Sequence, residues 1–340
     1  MTNTTPQTPV DAPSDTAIAK ERGKRADLWR KGLQQGLAFG TLVLLLLFFS
    51  IASNNFFTWS NISGILLATA VIGILALGTT FVITTGGIDL SIGTGMTLAS
   101  VMTGVVAVNF GLPLIVGVLA GILTGALMGF VNGFNVAYLK LPPFIATLAM
   151  MMVAQGLALV ISGVSPIYFS GVAGFKEIAT GTLIPGLPNA VLIMFALAAF
   201  AYVLLSKTTF GRYTVAIGSN EEATRLSGIN TNRRLVMIYT VAGVFTGIAG
   251  VVIASRLDSA QPQLGVGYEL QAIAAVIIGG TSLLGGRGSI VGTLIGALIM
   301  SVLINGLRIM SIQTEWQNVV VGVVIAIAVF ADTLRNRRGV

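Results

Sequence analysis

The chain has no cysteine and no histidine among its 340 residues. Without cysteine there are no disulfides, thiolate metal sites or cysteine nucleophile. Without histidine no imidazole can relay protons, ligate zinc or serve as the base of a Ser-His-Asp triad. Charge is scarce as well, at 9% of residues against 54% hydrophobic ones. No Gly-Lys-Ser/Thr triplet occurs, so the cluster Gly279, Gly280, Gly285, Gly286 and Gly288 is not a nucleotide-binding P-loop. Nor do carboxylates pair within an apolar segment, which leaves no familiar catalytic constellation.

What is present in quantity is apolar sequence. A mean hydropathy of +0.91 places the chain among all-α polytopic membrane proteins. About ten segments qualify as spans, at Leu33–Ala52, Ile62–Thr84, Leu90–Asn109, Pro113–Leu139, Phe144–Ser162, Ala190–Leu205, Leu235–Ser255, Leu270–Gly280, Ser289–Gly306 and Trp316–Asp332. The eighth is short. Pro142 and Pro143 stop the preceding helix and set the start of the fifth span. Residues 1–32, polar and rich in Thr, Pro and charge, read as a disordered tail too long to lead a cleaved signal peptide. Residues 33–334 form the transmembrane domain and 335–340 a short tail.

The 19 basic residues sort by topology. With both termini cytoplasmic, sixteen lie inside and only Lys176, Arg256 and Arg308 outside, a strong positive-inside bias. The pI near 10 is therefore a topology signal and implies no nucleic-acid partner. Basic residues from Arg22 to Lys31 are also placed to meet anionic membrane lipid. The external segment Val164–Pro188, rich in Gly, Pro and aromatics, suits a short helix lying at the surface.

Seven charged residues crowd into the inside loop Lys207–Arg234. Ser219 as N-cap with Glu222 three residues on predicts a capping box, Glu221 and Arg225 an i,i+4 pair, and Gly228 a C-terminal stop. Asn220–Ser227 thus reads as a two-turn helix, with Ala223 and Leu226 on one side and Arg212, Arg225, Arg233 and Arg234 making the loop basic. Held between spans, such a helix can act as a lever.

Glycine is abundant, with 42 residues. In the fourth span Gly117, Gly121, Gly125, Gly129 and Gly133 recur every four residues, a small-xxx-small face for close helix packing within one subunit or at a dimer seam. The run Gly121-Ile-Leu-Thr-Gly-Ala-Leu-Met also matches Gly292-Thr-Leu-Ile-Gly-Ala-Leu-Ile of the ninth span at five of eight positions. An offset of five spans reverses direction, so this is the signature expected of two inverted five-helix units.

Polar groups near membrane depth supply the candidate pathway. Asp89 and Ser91, in Gly86-Gly-Ile-Asp-Leu-Ser-Ile-Gly93, stand at the junction of spans two and three. Asp89 reads either as a functional intramembrane carboxylate or as a cap for the third helix. Glu269 occupies the equivalent place before span eight. Asn132, Asn135, Gln155 and Gln271 could line a route for a hydroxyl-rich solute or hydrogen-bond between helices. Phe144 opens the fifth span beside them.

These motifs carry a resemblance. Gly86-Gly-Ile-Asp-Leu-Ser-Ile-Gly93, Phe210-Gly-Arg-Tyr, Ile217-Gly-Ser-Asn-Glu-Glu-Ala223, Leu226-Ser-Gly-Ile229, Tyr268-Glu-Leu, Ile273-Ala-Ala and Ile278-Gly-Gly-Thr-Ser282 resemble those of ribose-type ABC transporter permeases, from about residue 35 onward. One departure is Gln271, where that family often carries an acidic residue. The resemblance implies a multi-pass permease of the bacterial plasma membrane, paired with a second permease subunit and fed by an extracytoplasmic sugar-binding protein. It also implies a separate cytoplasmic ATPase that binds ATP and Mg, with no cofactor in this chain. The coupling segment maps to Gly211–Gly228, including Gly211, Arg212, Ser219, Asn220, Glu221, Glu222, Arg225 and Gly228. A branched-chain amino-acid permease and an ion-coupled secondary transporter are the competing readings. The second wants an acidic residue in mid-span, and none is there.

Overall fold

The computed structural model describes residue 36 and residues 38–337. The expected tail of residues 1–32 lies outside the described residues. Among the described residues, eight helices are long and apolar enough to cross a membrane: α2 (Trp59–Thr84), α3 (Ile92–Gly104, continued by a π turn to Asn109), α4 (Leu114–Ala137), α5 (Pro143–Ser162), α7 (Asn189–Lys207), α10 (Thr231–Leu257), α12 (Ile290–Ile309) and α13 (Thr314–Arg337). Two apolar helices are shorter, α1 (Ala38–Ala52) and α11 (Tyr268–Ile278). Short helices α6 (Phe175–Thr180), α8 (Thr209–Ser219) and α9 (Glu221–Leu226) fill the connections. α13 runs past the expected domain boundary at residue 334.

Two features of the outer loops depart from expectation within this mostly helical fold. Strands β1 (Ile167–Tyr168) and β2 (Ser259–Ala260) pair antiparallel, Ile167 with Ala260 and Tyr168 with Ser259. The helix expected to lie at the surface is instead tucked in, with Phe175 and Ala179 fully buried. It is tied to the end of α10: the Ser255 hydroxyl donates to Phe175 O (2.6 Å) and accepts from Ala179 N (2.9 Å). A two-turn helix holds its shape through such tertiary contacts and not through propensity.

The buried centre is α2, α3 and α10, while α5 and α13 keep most of their surface exposed. The glycine face of α4 packs within the subunit. Gly125 lies against Gly243 and Gly247 of α10, Gly129 against Tyr239 and Gly243, and Gly133 against Val236. A Cβ on Gly125 would come within 2.5 Å of Gly247 N. On α12, Gly292 and Gly296 lie in the same manner against Gly279 and Ala275 of α11 and its C-terminus. The packing partners repeat across the chain: α4 on α10 and α12 on α2, α3 on α4 and α11 on α12, α3 on α10 and α11 on α2, α3 on α5 and α11 on α13. Each pair turns into the other when a helix is exchanged for the one five spans away.

The two ends of the bundle separate the charges. At one end stand Lys140, bonded through Nζ to Asn232 Oδ1 at 2.8 Å, and the α8–α9 segment. At the other stand Lys176 on α6, Arg256 at the end of α10, and Arg308, close enough to Arg256 to repel it.

Candidate functional site

The charged loop folds into two helices instead of one. Thr208 caps α8 through an Oγ1 that accepts from Gly211 N (3.4 Å), and the chain turns straight out of α7. The turn is possible because Gly211 lies on the backbone of Leu205; a Cβ there would sit 2.6 Å from Leu205 Cα. α8 buries Gly211, Thr214 and Ile217, an i, i+3, i+6 stripe, and leaves Arg212 exposed.

The expected capping box is not formed. Ser219 belongs to the last turn of α8 and its hydroxyl donates back to Val215 O (2.9 Å). The N-cap of α9 is Asn220, whose Oδ1 accepts from Ala223 N at 2.9 Å. The ion pair is also shifted by one residue. Arg225 bonds Glu222, Nη2 to Oε1 at 2.6 Å, while Glu221 accepts from Thr231 Oγ1 (3.2 Å) and ties α9 to the start of α10. The hydrogen bond and charge of Arg225 hold the Glu222 carboxyl below its ordinary value. Both glutamates lie within helical reach of Arg225, Glu221 at i,i+4 and Glu222 at i,i+3, and with Glu221 bonded to Thr231 the ion pair falls to Glu222. Gly228 ends the segment at φ +82°, donating to Arg225 O at 3.0 Å. Ala223, Leu226, Glu222 and Arg225 are all exposed, and Thr224 is buried beneath them.

Behind this hairpin three chain segments meet through glycine. Gly218 of α8 presses on Thr84 at the end of α2 and on Gly286, and Gly285 presses on Gly218 and Gly86. Gly286 N donates to Thr84 O (2.9 Å). Gly285 and Gly286 both take positive φ, +82° and +74°, a conformation other residues adopt only with strain. Leu283 N donates to Asp332 Oδ2 of α13 at 3.2 Å. α8 thus touches the end of α2 and the loop joining α11 to α12.

Of the expected pathway residues, the fold joins Asp89, Ser91 and Asn132. Asp89 Oδ1 accepts from Ser91 N (2.8 Å) and Ser91 Oγ (2.7 Å), and Asn132 Nδ2 donates to Ser91 Oγ at 2.8 Å. The carboxylate bonds the residue that opens α3 and not an amide inside its first turn. Two further residues join whose role the sequence did not reveal. Thr147 Oγ1 accepts from Leu90 N (3.2 Å), which fixes the loop to α5. Tyr239 of α10 packs its hydroxyl against Gly87. Its Oη and Asn132 Oδ1, both enclosed, have no hydrogen-bond partner among the described residues. Asn135 (one turn along α4), Gln155 and Gln271 are half-buried and make no hydrogen bond to this cluster; Phe144 is exposed at the start of α5. A lone Thr or Tyr in an apolar run carries no local sign of a partner elsewhere in the chain, which is why both escaped sequence reasoning.

α3 and α11 meet at their N-termini. Gly93 and Gly265 cross so closely that a Cβ on either would strike the other's carbonyl. Glu269, buried in the first turn of α11, accepts from the Gly267 amide with both oxygens (3.0 and 3.1 Å). Each helix therefore starts at an internal loop with an acidic residue at its positive end.

This architecture is that of a multi-pass membrane protein. The chain belongs to the branched-chain amino acid transport system / permease component family, whose model matches residues 61–329. It is 46% identical to the ribose import permease protein RbsC of Bacillus subtilis over 307 residues, covering 90% of this chain and 95% of that protein. It is 37% identical to the fructose import permease protein FrcC of Rhizobium meliloti over 300 residues (86% and 83%), and 34% identical to the xylose transport system permease protein XylH of Haemophilus influenzae over 366 residues (90% and 98%). No solved structure matches the chain.

Proposed function

We propose that the chain is the transmembrane subunit of an ATP-driven importer for ribose or a related sugar, resident in the bacterial plasma membrane. The observation that carries this is the near full-length match to sugar import permeases, with 46% identity to a ribose permease. Ten spans in two inverted five-helix units are the arrangement supported by the repeated packing pairs and by the opposed N-termini of α3 and α11. Both termini and the α8–α9 hairpin are assigned to the cytoplasm. Lys140, Arg225, Arg233, Arg234 and Arg287 gather at that end, and Lys176, Arg256 and Arg308 at the other, in line with the positive-inside rule.

In this reading a separate ATPase subunit grips the exposed face of α9, formed by Glu222, Arg225 and Leu226. Force enters at α9, passes through the rigid turn at Asn220 into α8, and reaches α2 and the α11–α12 loop through the contacts of Gly218 with Thr84 and Gly286. Because packed cores switch between discrete arrangements, such a push tilts whole helices instead of dissipating in side chains. Asp89, Ser91 and Asn132 lock the α2–α3 loop to α4, so that this loop moves with its five-helix unit. A second permease subunit covers the exposed faces of α5 and α13, and an extracytoplasmic binding protein delivers the sugar. ATP and Mg belong to the partner ATPase and no cofactor to this chain. The test is purification in mild detergent after co-expression with neighbouring gene products. The expected result is recovery of an ATPase whose turnover rises with a sugar-loaded binding protein; recovery of the chain without one counts against the reading.

A further inference from the structure

Between α4 and α10, at the end of the bundle that carries α8 and α9, lies an open groove of about 630 Å³. One wall is an aromatic ladder, Phe130, Phe134 and Tyr138, stacked with ring centroids 6.5 and 5.3 Å apart. Eight residues at 1.5 Å each make this wall about 12 Å long, parallel to the helix axis. Met237 of α10 forms the opposite wall. The three rings are 42–50% exposed, so the groove is open along its length.

Its end is cationic. Arg233 lines the groove, and its guanidinium has no hydrogen-bond or ion-pair partner among the described residues. Lys140, just outside the lining, donates from Nζ to Oδ1 of Asn232, the residue preceding Arg233, at 2.8 Å. No carboxylate lines the groove. By contrast, the neighbouring Arg234 is already engaged, stacked over Tyr213 at 4.7 Å. An apolar slot parallel to a membrane-spanning helix, with Arg233 at its end and Lys140 anchored one residue away, neither paired with a carboxylate among the described residues, complements one kind of molecule: an acyl chain ending in a negatively charged headgroup.

We propose that this groove binds an anionic phospholipid, its acyl chain along Phe130, Phe134 and Tyr138 and its phosphate between Arg233 and Lys140. The inference rests on α4 and α10 spanning a bilayer, and not on which leaflet they face or which solute is carried.

The experiment is native mass spectrometry of the full chain in mild detergent, titrated with phosphatidylglycerol or phosphatidylcholine. The wild type is expected to hold one phosphatidylglycerol per chain in preference to phosphatidylcholine. Lys140→Ala with Arg233→Ala should lower that affinity roughly 30-fold, the effect of removing two basic groups at a membrane surface. Met237→Trp fills the slot without touching charge and should lower it too, so a folding defect in either variant leaves the other to decide. Arg308→Ala, at the opposite end, should bind as wild type. Equal affinity for the two lipids, or unchanged phosphatidylglycerol binding in both groove variants, overturns the proposal. A chain extracted from membranes without detergent would instead overturn the spanning of α4 and α10.

Discussion

Replacing Gly125 by alanine adds one methyl group where α4 crosses α10 backbone to backbone. The new Cβ would stand 2.5 Å from Gly247 N and 2.7 Å from Gly247 Cα. Both neighbours are backbone atoms, and Gly247 has no side chain to turn away. Restoring ordinary contact needs α4 and α10 to part by roughly 1 Å, and overpacking of that kind costs about 1–3 kcal/mol. The gain from replacing glycine by alanine within a helix offsets at most about 1 kcal/mol. With the full offset the net loss is up to about 2 kcal/mol, a shift of the folding equilibrium of up to roughly 30-fold. The assay is reversible unfolding in mixed micelles, followed by far-ultraviolet circular dichroism. Gly156→Ala on α5 is the matched control, since a Cβ there meets nothing within 4 Å; it should be neutral or stabilising. If Gly125→Ala unfolds no more readily than Gly156→Ala, the packing argument for α4 on α10 is refuted.

The observed cap leads to a second prediction: Asn220→Ala should destabilise α9 by about 1 kcal/mol and lower sugar-stimulated ATP turnover, whereas Ser219→Ala, whose hydroxyl only back-bonds to Val215 O, should leave turnover near wild type. Equal effects of the two would contradict the assignment. Glu222→Ala plus Arg225→Ala should uncouple ATP turnover from sugar while membrane insertion, read by fractionation, stays intact. The pH response of that pair has a defined sign. Because the folded Glu222 carboxyl is held below its ordinary value, its contribution is fully present above the unfolded value and fades as pH falls through the folded one. Coupling between pH 6 and 8 should therefore not vary with this residue, and a Glu222-dependent change in that window would count against the pair.

Much of the fold was legible because lipid imposes a length and composition requirement that hydropathy meets directly. Even the short eighth segment is a helix within two residues of its expected ends, α11 (Tyr268–Ile278). Local chemistry was harder. Ser219 and Asn220 are both good N-caps, and the choice between them depends on where α8 ends. That helix was missed in the sequence, because a single stripe of Gly211, Thr214 and Ile217 is too polar to mark an apolar face. Asp89 and Ser91 could be read as neighbours in sequence. The bond of Ser91 to Asn132, 41 residues away, could not. The two-residue strands offered no alternation to detect, and their pairing depends on where α10 and the outer loop bring them. The glycine clusters around Gly218 and Gly285 were visible as composition, but their role as touching surfaces came only with the fold.

The most direct test of the central claim is uptake of labelled sugar by proteoliposomes containing the chain, its co-purified ATPase and the loaded binding protein. The account predicts uptake that requires ATP on the side bearing α8 and α9, and that persists when ion gradients are collapsed. Uptake by the chain alone, driven by an ion gradient and indifferent to ATP, would contradict it.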